Sequence, residues 1–170
     1  MSLEATRLHV QAGLRIQESF VSLQGEGTRV GMPSQFIRVS GCNLRCAWCD
    51  SPDSSWSPRG EMMELDELVD LCASGPRDVV LTGGEPLLFP ALATLSQRLH
   101  RAGHFITIET AGTVWLEGLA CDLVSISPKL AHSTPHQRAP KWVTRHAAAR
   151  WAPAIVDRLI DGFDAYQHKF

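Results

Sequence analysis

Three cysteines crowd into one short stretch, Gly41-Cys42-Asn43-Leu44-Arg45-Cys46-Ala47-Trp48-Cys49-Asp50-Ser51, at the spacing C-x3-C-x2-C. Three thiolates on one loop make a soft, electron-rich pocket that suits zinc or an iron–sulfur cluster. A closed structural zinc site takes four protein ligands, and no fourth ligand follows here at matching spacing. A four-iron cluster held by three cysteines keeps one iron open to a small molecule. The plain alternatives are buried hydrophobic thiols or a zinc site completed by a distant histidine. Burial suits Cys72 and Cys121, which sit in segments that read as helix and strand. It suits the triplet poorly, because Asn43, Arg45 and Asp50 stand among the three thiols.

The remaining bulk properties narrow the class. A length of 170 residues predicts one domain with a real core. The net charge of −2 gives no basic footprint, so nucleic acid is not an expected direct partner. Residues 1–13 have no apolar core of a signal peptide, and no apolar run reaches the length of a membrane span. An odd count of five cysteines, three of them crowded, points to the reducing cytoplasm rather than to a disulfide framework.

Along the chain, 14–23 reads as a strand, broken by Leu23-Gln24-Gly25-Glu26-Gly27. The strand 35–40 runs straight into the cysteine loop and carries one cation, Arg38. That arginine either snorkels to water or clamps a carboxylate. Residues 51–60 read as a loop and 64–74 as a helix stopped by Gly75-Pro76. A short buried strand at 78–81 ends in Thr82-Gly83-Gly84-Glu85-Pro86, where paired glycines let a ligand approach the backbone. A helix follows at 91–101, with Gly103 as its stop. The strand 105–109 ends on a carboxylate, Glu109, at the strand end where α/β folds place ligand contacts. The strand 122–126 leads to Ser127-Pro128-Lys129, whose lysine is either solvated or meets a carboxylate. Residues 131–141 read as loop, with His132 and His136 solvated rather than metal-bound. A helix is expected at 153–162 and the start of a last strand at 165–170. Strand, loop and helix in repetition predict a parallel sheet covered by helices.

The cysteine spacing is the signature of the radical S-adenosylmethionine (SAM) superfamily, and the Gly83-Gly84-Glu85 turn resembles its second motif. Six stretches in order widen the likeness to nearly the whole chain: LQGEG at 23–27, FIRVSGC at 36–42, CAWCDS at 46–51, LTGGEP at 81–86, IETAGT at 108–113 and SISPKL at 125–130. Together they resemble the 7-carboxy-7-deazaguanine synthase family of queuosine and 7-deazapurine biosynthesis. The resemblance implies an α/β fold, a partial (β/α) barrel with a mostly parallel sheet. It also implies a single radical SAM domain over residues 1–170 that ends short of the family's C-terminal strands. The implied reaction is a lyase reaction that rearranges 6-carboxy-5,6,7,8-tetrahydropterin to 7-carboxy-7-deazaguanine with loss of ammonia. A 5′-deoxyadenosyl radical takes a substrate hydrogen, and SAM is regenerated.

Carried over residue by residue, the family's roles place a 4Fe-4S cluster on Cys42, Cys46 and Cys49. SAM falls to Trp48, Cys49, Asp50, Gly84, Ser127, Pro128 and Lys129. The pterin falls to Leu23, Gln24, Gly25, Arg38 and Thr82, and Mg2+ to the hydroxyl of Ser51. Many members carry Thr at that last position, and an N-cap or turn role competes for this Ser. The implied partners are a pterin substrate and an electron donor such as flavodoxin or ferredoxin. A second copy is a further candidate, because a sheet edge at Phe170 invites pairing. Two other readings stay open: an activase that acts on a protein partner, and an inactive metal-binding fragment.

Overall fold

One seven-stranded sheet organises the chain. The computed structural model describes residues 13–170, so the reading that no leader is present at the N-terminus falls largely outside it. The strands are β1 (Gly13–Leu23), β2 (Pro33–Val39), β3 (Glu61–Glu64), β4 (Asp78–Gly83), β5 (Phe105–Thr110), β6 (Leu123–Ile126) and β7 (Tyr166–His168). Their order across the sheet is β3-β1-β2-β4-β5-β6-β7. From β2 to β7 every neighbour is parallel. β1 pairs antiparallel with both β2 and β3, so the parallel sheet expected from the repeating rhythm carries an antiparallel flank. The sheet is open, in keeping with a partial barrel. Among the described residues no helix is long and apolar enough to cross a membrane.

Among the described residues five α-helices connect the strands: α1 (Pro52–Ser55), α2 (Leu65–Ala73), α3 (Ala91–Arg101), α4 (Val143–Ala149) and α5 (Pro153–Gly162). Glu64 and Glu67 form a reciprocal capping box that starts α2, and Leu65, Leu68 and Cys72 are its buried face. The helix α3 buries Leu92, Leu95 and Leu99 completely. Gly103, at φ +92°, ends it: His104 N–H reaches Leu99 O and Gly103 N–H reaches His100 O, the paired bonds of a Schellman stop. Three short elements depart from the reading of the sequence. The loop at 51–60 contains the single turn α1. The edge strand β3 precedes α2. The stretch after the 131–141 loop forms α4, whose one buried side chain is the polar His146.

Register decides what the two faces of the sheet carry. Ile37, Val39, Val79, Leu81, Ile106, Ile108, Val124 and Ile126 share one core with Leu68, Leu92, Leu95, Leu99 and Leu159 of the helices. Each buried side chain of this kind contributes roughly 1.5–3 kcal/mol. The intervening residues face the other way. Glu18 lies opposite Arg38, Arg38 opposite Thr82, and Glu109 opposite Ser125, which in turn lies opposite Gln167. One polar rung therefore crosses the sheet near the C-terminal ends of its parallel strands.

Candidate active site

The rung forms one wall of a cavity of about 280 Å3, and the cysteine loop forms the other. The loop is fixed from several sides. Gly41 N–H donates to Ser54 O at 2.7 Å, and Glu85 N–H donates to Gly41 O at 2.9 Å. Gly84 has no room for a side chain: a Cβ there would lie 2.3 Å from Gly41 O and 2.7 Å from Cys42 Cβ. The Gly-Gly turn is thus the seat on which the cysteine loop crosses the end of β4.

Cys46 is held on both flanks. Arg45 N–H donates to His146 Nδ1 at 3.1 Å, and Ala47 N–H donates to Ser133 O at 2.8 Å. Accepting at Nδ1 leaves the proton on Nε2, which faces Ser133 Oγ at 2.9 Å, and that hydroxyl donates to Leu130 O at 2.7 Å. Burial, helped by Arg150, lowers the affinity of His146 for a second proton.

Cys42, Cys46 and Cys49 all line the cavity. Burial pushes the Cys42 thiol up to about 12, against the pull of Leu44 N–H on its sulfur, and the Cys46 thiol up to about 11, against nearby Lys129. A metal centre would have to displace both protons. Ser55 Oγ stands 3.0 Å from Cys49 Sγ. Among the described residues no three His, Cys, Asp or Glu side chains gather around a single metal ion, and the three thiols open onto a shared space. Soft sulfur donors on one loop, beside a cavity, fit a cluster with an open face. Cys72 and Cys121 stand apart from the cavity, and burial raises both thiols, to about 11 and about 12.

Glu85 is wholly buried and ties two strand ends together. Its carboxylate accepts from Thr110 Oγ1 at 2.7 Å, Ala111 N at 2.9 Å and Leu87 N at 3.2 Å. Burial still outweighs these bonds and holds its pKa above the ordinary carboxylate range.

Of the residues singled out from the sequence, Arg38, Trp48, Asp50, Ser51, Thr82, Gly84, Ser127 and Lys129 line the cavity with the three cysteines. Arg38 donates through Nε to Glu18 at 2.7 Å and through Nη1 to Ser51 Oγ at 3.2 Å. Ser51 occupies the N-cap position of α1, yet its hydroxyl makes no capping bond and turns to Arg38 and Asp50. Trp48 is half exposed and stacks on His132 at 5.5 Å. Lys129 Nζ donates to Ser127 Oγ at 2.7 Å.

Leu23, Gln24, Gly25 and Pro128 are not on the cavity wall. Gln24 is buried beside it and donates to Glu109 Oε1 at 3.3 Å. Glu109 did stand out as a strand-end carboxylate, and it gathers a network that the sequence did not announce. Thr82 Oγ1 donates to its Oε2 at 2.9 Å, and Lys169 lies 3.7 Å from its Oε1 and 2.7 Å from Glu26. Burial opposes the charge on Lys169, but Glu109 and Glu26 outweigh it and raise its pKa. The one signal for Lys169 was its place just past a strand, the same as that of Lys129.

A parallel sheet whose strand ends carry a three-cysteine loop and a polar cavity defines the radical SAM class, and residues 36–161 match the Radical SAM superfamily model. Within that superfamily the chain belongs to the 7-carboxy-7-deazaguanine synthase family. It is 48% identical to the 7-carboxy-7-deazaguanine synthase of Rhodopirellula baltica over 162 residues, 94% of this chain and 63% of that one. The Halobacterium salinarum synthase is 46% identical, with 92% and 63% covered. The Methanopyrus kandleri synthase is 37% identical, with 92% and 73% covered. The crystal structure of QueE from Escherichia coli is similar at a TM-score of 0.61 and 27% identity, covering 89% of this chain and 76% of that one. The chain spans under two thirds of the length of the first two relatives.

Proposed function

We propose that this chain carries the catalytic centre for converting 6-carboxy-5,6,7,8-tetrahydropterin to 7-carboxy-7-deazaguanine with loss of ammonia. The observation that carries the reading is the polar rung facing the cysteine loop across one cavity. Cys42, Cys46 and Cys49 would hold a 4Fe-4S cluster. Trp48, Cys49, Asp50, Gly84, Ser127, Pro128 and Lys129 would take SAM. When bound, the cluster and SAM supply one-electron reductive chemistry that generates a carbon-centred radical.

The chain's own residues bind and orient the substrate. A substrate carboxylate competes with Glu18 for the Arg38 guanidinium, a planar fork suited to bidentate pairing. Glu109, held by Thr82 and Gln24, offers its carboxylate to the donor edge of a pterin, where a ring N–H and an exocyclic amine lie side by side. Leu23, Gln24 and Gly25 would support the substrate from behind Glu109. The Ser51 hydroxyl, free of any capping duty, is the protein oxygen offered to Mg2+, a hard ion that keeps most of its waters. The reading includes a cytoplasmic setting, a small electron-transfer protein as reductant and pairing of two copies along the β7 edge.

Anaerobic reconstitution with iron and sulfide, followed by dithionite, SAM, Mg2+ and the carboxypterin, tests the reading by mass detection of the deazaguanine. Product that disappears in Cys46→Ala supports it. A reconstituted cluster that cleaves SAM but yields no product refutes the substrate assignment. Failure to take up iron refutes the site.

A further inference from the structure

Lys169 follows β7, and its backbone extends the pairing with β6: its N–H donates to Ile126 O at 2.9 Å. That bond sets the side chain on the cavity wall. The ammonium lies 2.7 Å from Glu26 Oε2 and 3.7 Å from Glu109 Oε1. An ammonium has three donors and no acceptor. Glu26 takes one donor, and Glu109 stands too far away for a second hydrogen bond. Thr82 and Gln24 turn their donors onto Glu109 itself. Among the described residues Lys169 is the cation that Glu109 meets, and it has donors left over.

The plain reading is a structural tie between Glu26 and the last strand. It explains little. The Glu26 side chain is 63% exposed, and an ion pair with so exposed a partner adds little to stability. Nor does such a tie require an ammonium on the cavity wall beside a second carboxylate.

We infer that Lys169 is a specificity-determining residue, which donates to the ring carbonyl oxygen of the pterin beside the ring N–H that Glu109 accepts. The inference rests on the proposed function and names the group that reads the rest of the same ring edge. Along that edge a pterin presents an amine, a ring N–H and a carbonyl oxygen. A carboxylate complements the first two. The third is an acceptor, and it needs a donor set beside the carboxylate but not spent on it. Lys169 stands in that relation to Glu109. Glu109 and Glu26 hold it in the charged, donor-only form. A ring that offers a poor acceptor at this position leaves the ammonium unpaired, and a ring that offers a donor is repelled.

The test compares two ligands that differ in one atom. One is 6-carboxypterin. The other is its 4-thioxo analogue, in which sulfur, a weak acceptor, replaces the ring carbonyl oxygen. Both keep the amine, the ring N–H and the carboxylate. Dissociation constants come from anaerobic calorimetry on the reconstituted chain with SAM and no reductant, so that nothing turns over. The wild type is expected to prefer the oxygen ligand by about ten-fold. Lys169→Met keeps the apolar stem and removes the donors, and should bind the two ligands within about two-fold of each other. Lys169→Arg retains donors and should keep a preference for oxygen. Arg38→Ala should weaken both ligands and leave their ratio unchanged. Each readout is a ratio within one variant, so a general loosening of the cavity cancels.

A preference that survives intact in Lys169→Met overturns the inference, and so does a wild type that binds both ligands equally. Either result leaves the proposed function standing. If Lys169→Met binds neither ligand, Lys169→Arg decides: a preference kept supports the inference, and a preference lost overturns it. A wild type that binds neither ligand overturns the substrate reading and the inference with it.

Discussion

The two faces of the sheet are one residue apart along the chain and differ in almost everything else. Ile108 is fully buried among the helices, while Glu109, the next residue, looks into the cavity with Thr82, Gln24 and Lys169 around it. The helix-covered face is uniform: branched apolar side chains from four parallel strands against leucines of α2, α3 and α5. The cavity face is mixed, with acids, bases and hydroxyls tied into pairs. Because strand side chains alternate with a period of two, one sheet can carry both, and a register slip of one residue would exchange them. The apolar face supplies stability, and the polar face is tolerated because its groups satisfy one another.

Adjacent substitutions separate the two roles. Ile108→Ala should cost roughly 2–5 kcal/mol of unfolding free energy, since it leaves a cavity beneath the helices. Glu109→Gln preserves shape and should cost about 1 kcal/mol, the value of a typical hydrogen bond. Product formation should nonetheless fall at least about ten-fold in Glu109→Gln, a rate ratio worth about 1.4 kcal/mol in transition-state stabilisation. Urea melts and the reconstituted assay check both, and equal stability losses would erase the distinction between the faces.

Glu85 lies at the seam and should give the next largest effect. Three donors converge on its carboxylate. Glu85→Gln brings an amide NH2 against one of them, so a loss of about 1–3 kcal/mol is expected in the same melts. A neutral outcome would mean that the strand ends are held by backbone contacts alone.

The clamp on Cys46 makes a pH prediction. Its histidine has a folded-state pKa below the ordinary 6.5. The unfolded chain therefore binds the proton more tightly than the folded chain does. The contribution of His146 is fully present above the unfolded value and is lost as pH falls below it toward the depressed folded value. Thermal melts of the cluster-free wild type should decline over that window. In His146→Gln, whose side-chain oxygen can still accept from Arg45 N–H, this part of the decline should be absent.

How much of this was legible in the sequence follows from the range of each signal. Helices α2, α3 and α5 and strands β2, β4, β5 and β6 stood out because their apolar residues recur at the period of the element. The helix at 153–162 has the predicted bounds. Short elements were missed for a stated reason: α4 buries a histidine rather than an apolar residue, and β3 is an edge of four mostly exposed residues with no alternation. The antiparallel flank was invisible, because strand direction lies in the pairing and not in either segment. The cysteine loop and the Gly-Gly turn were legible as motifs. Why the second is glycine was not, since that depends on Gly41 crossing β4. The Glu109 network required register and a lysine from the end of the chain. Tertiary structure alone brings those together.

The smallest effects make the sharpest version of the comparison, because they use the same chemistry on each side. Arg98 pairs with Asp66 at 2.5 Å on the helical side, and Arg38 pairs with Glu18 at 2.7 Å on the cavity side. Both acids are exposed enough that water competes strongly for them, 84% for Asp66 and 45% for Glu18. Removing either arginine should therefore cost only about 0–1 kcal/mol in stability. Their catalytic consequences should diverge. Arg98→Ala should leave turnover unchanged, whereas Arg38→Ala should raise the KM for the carboxypterin, and Arg38→Lys should recover little because an ammonium lacks the planar fork. If Arg38→Ala behaves like Arg98→Ala in both measurements, Arg38 is an ordinary surface cation held by Glu18, and the role proposed for it falls.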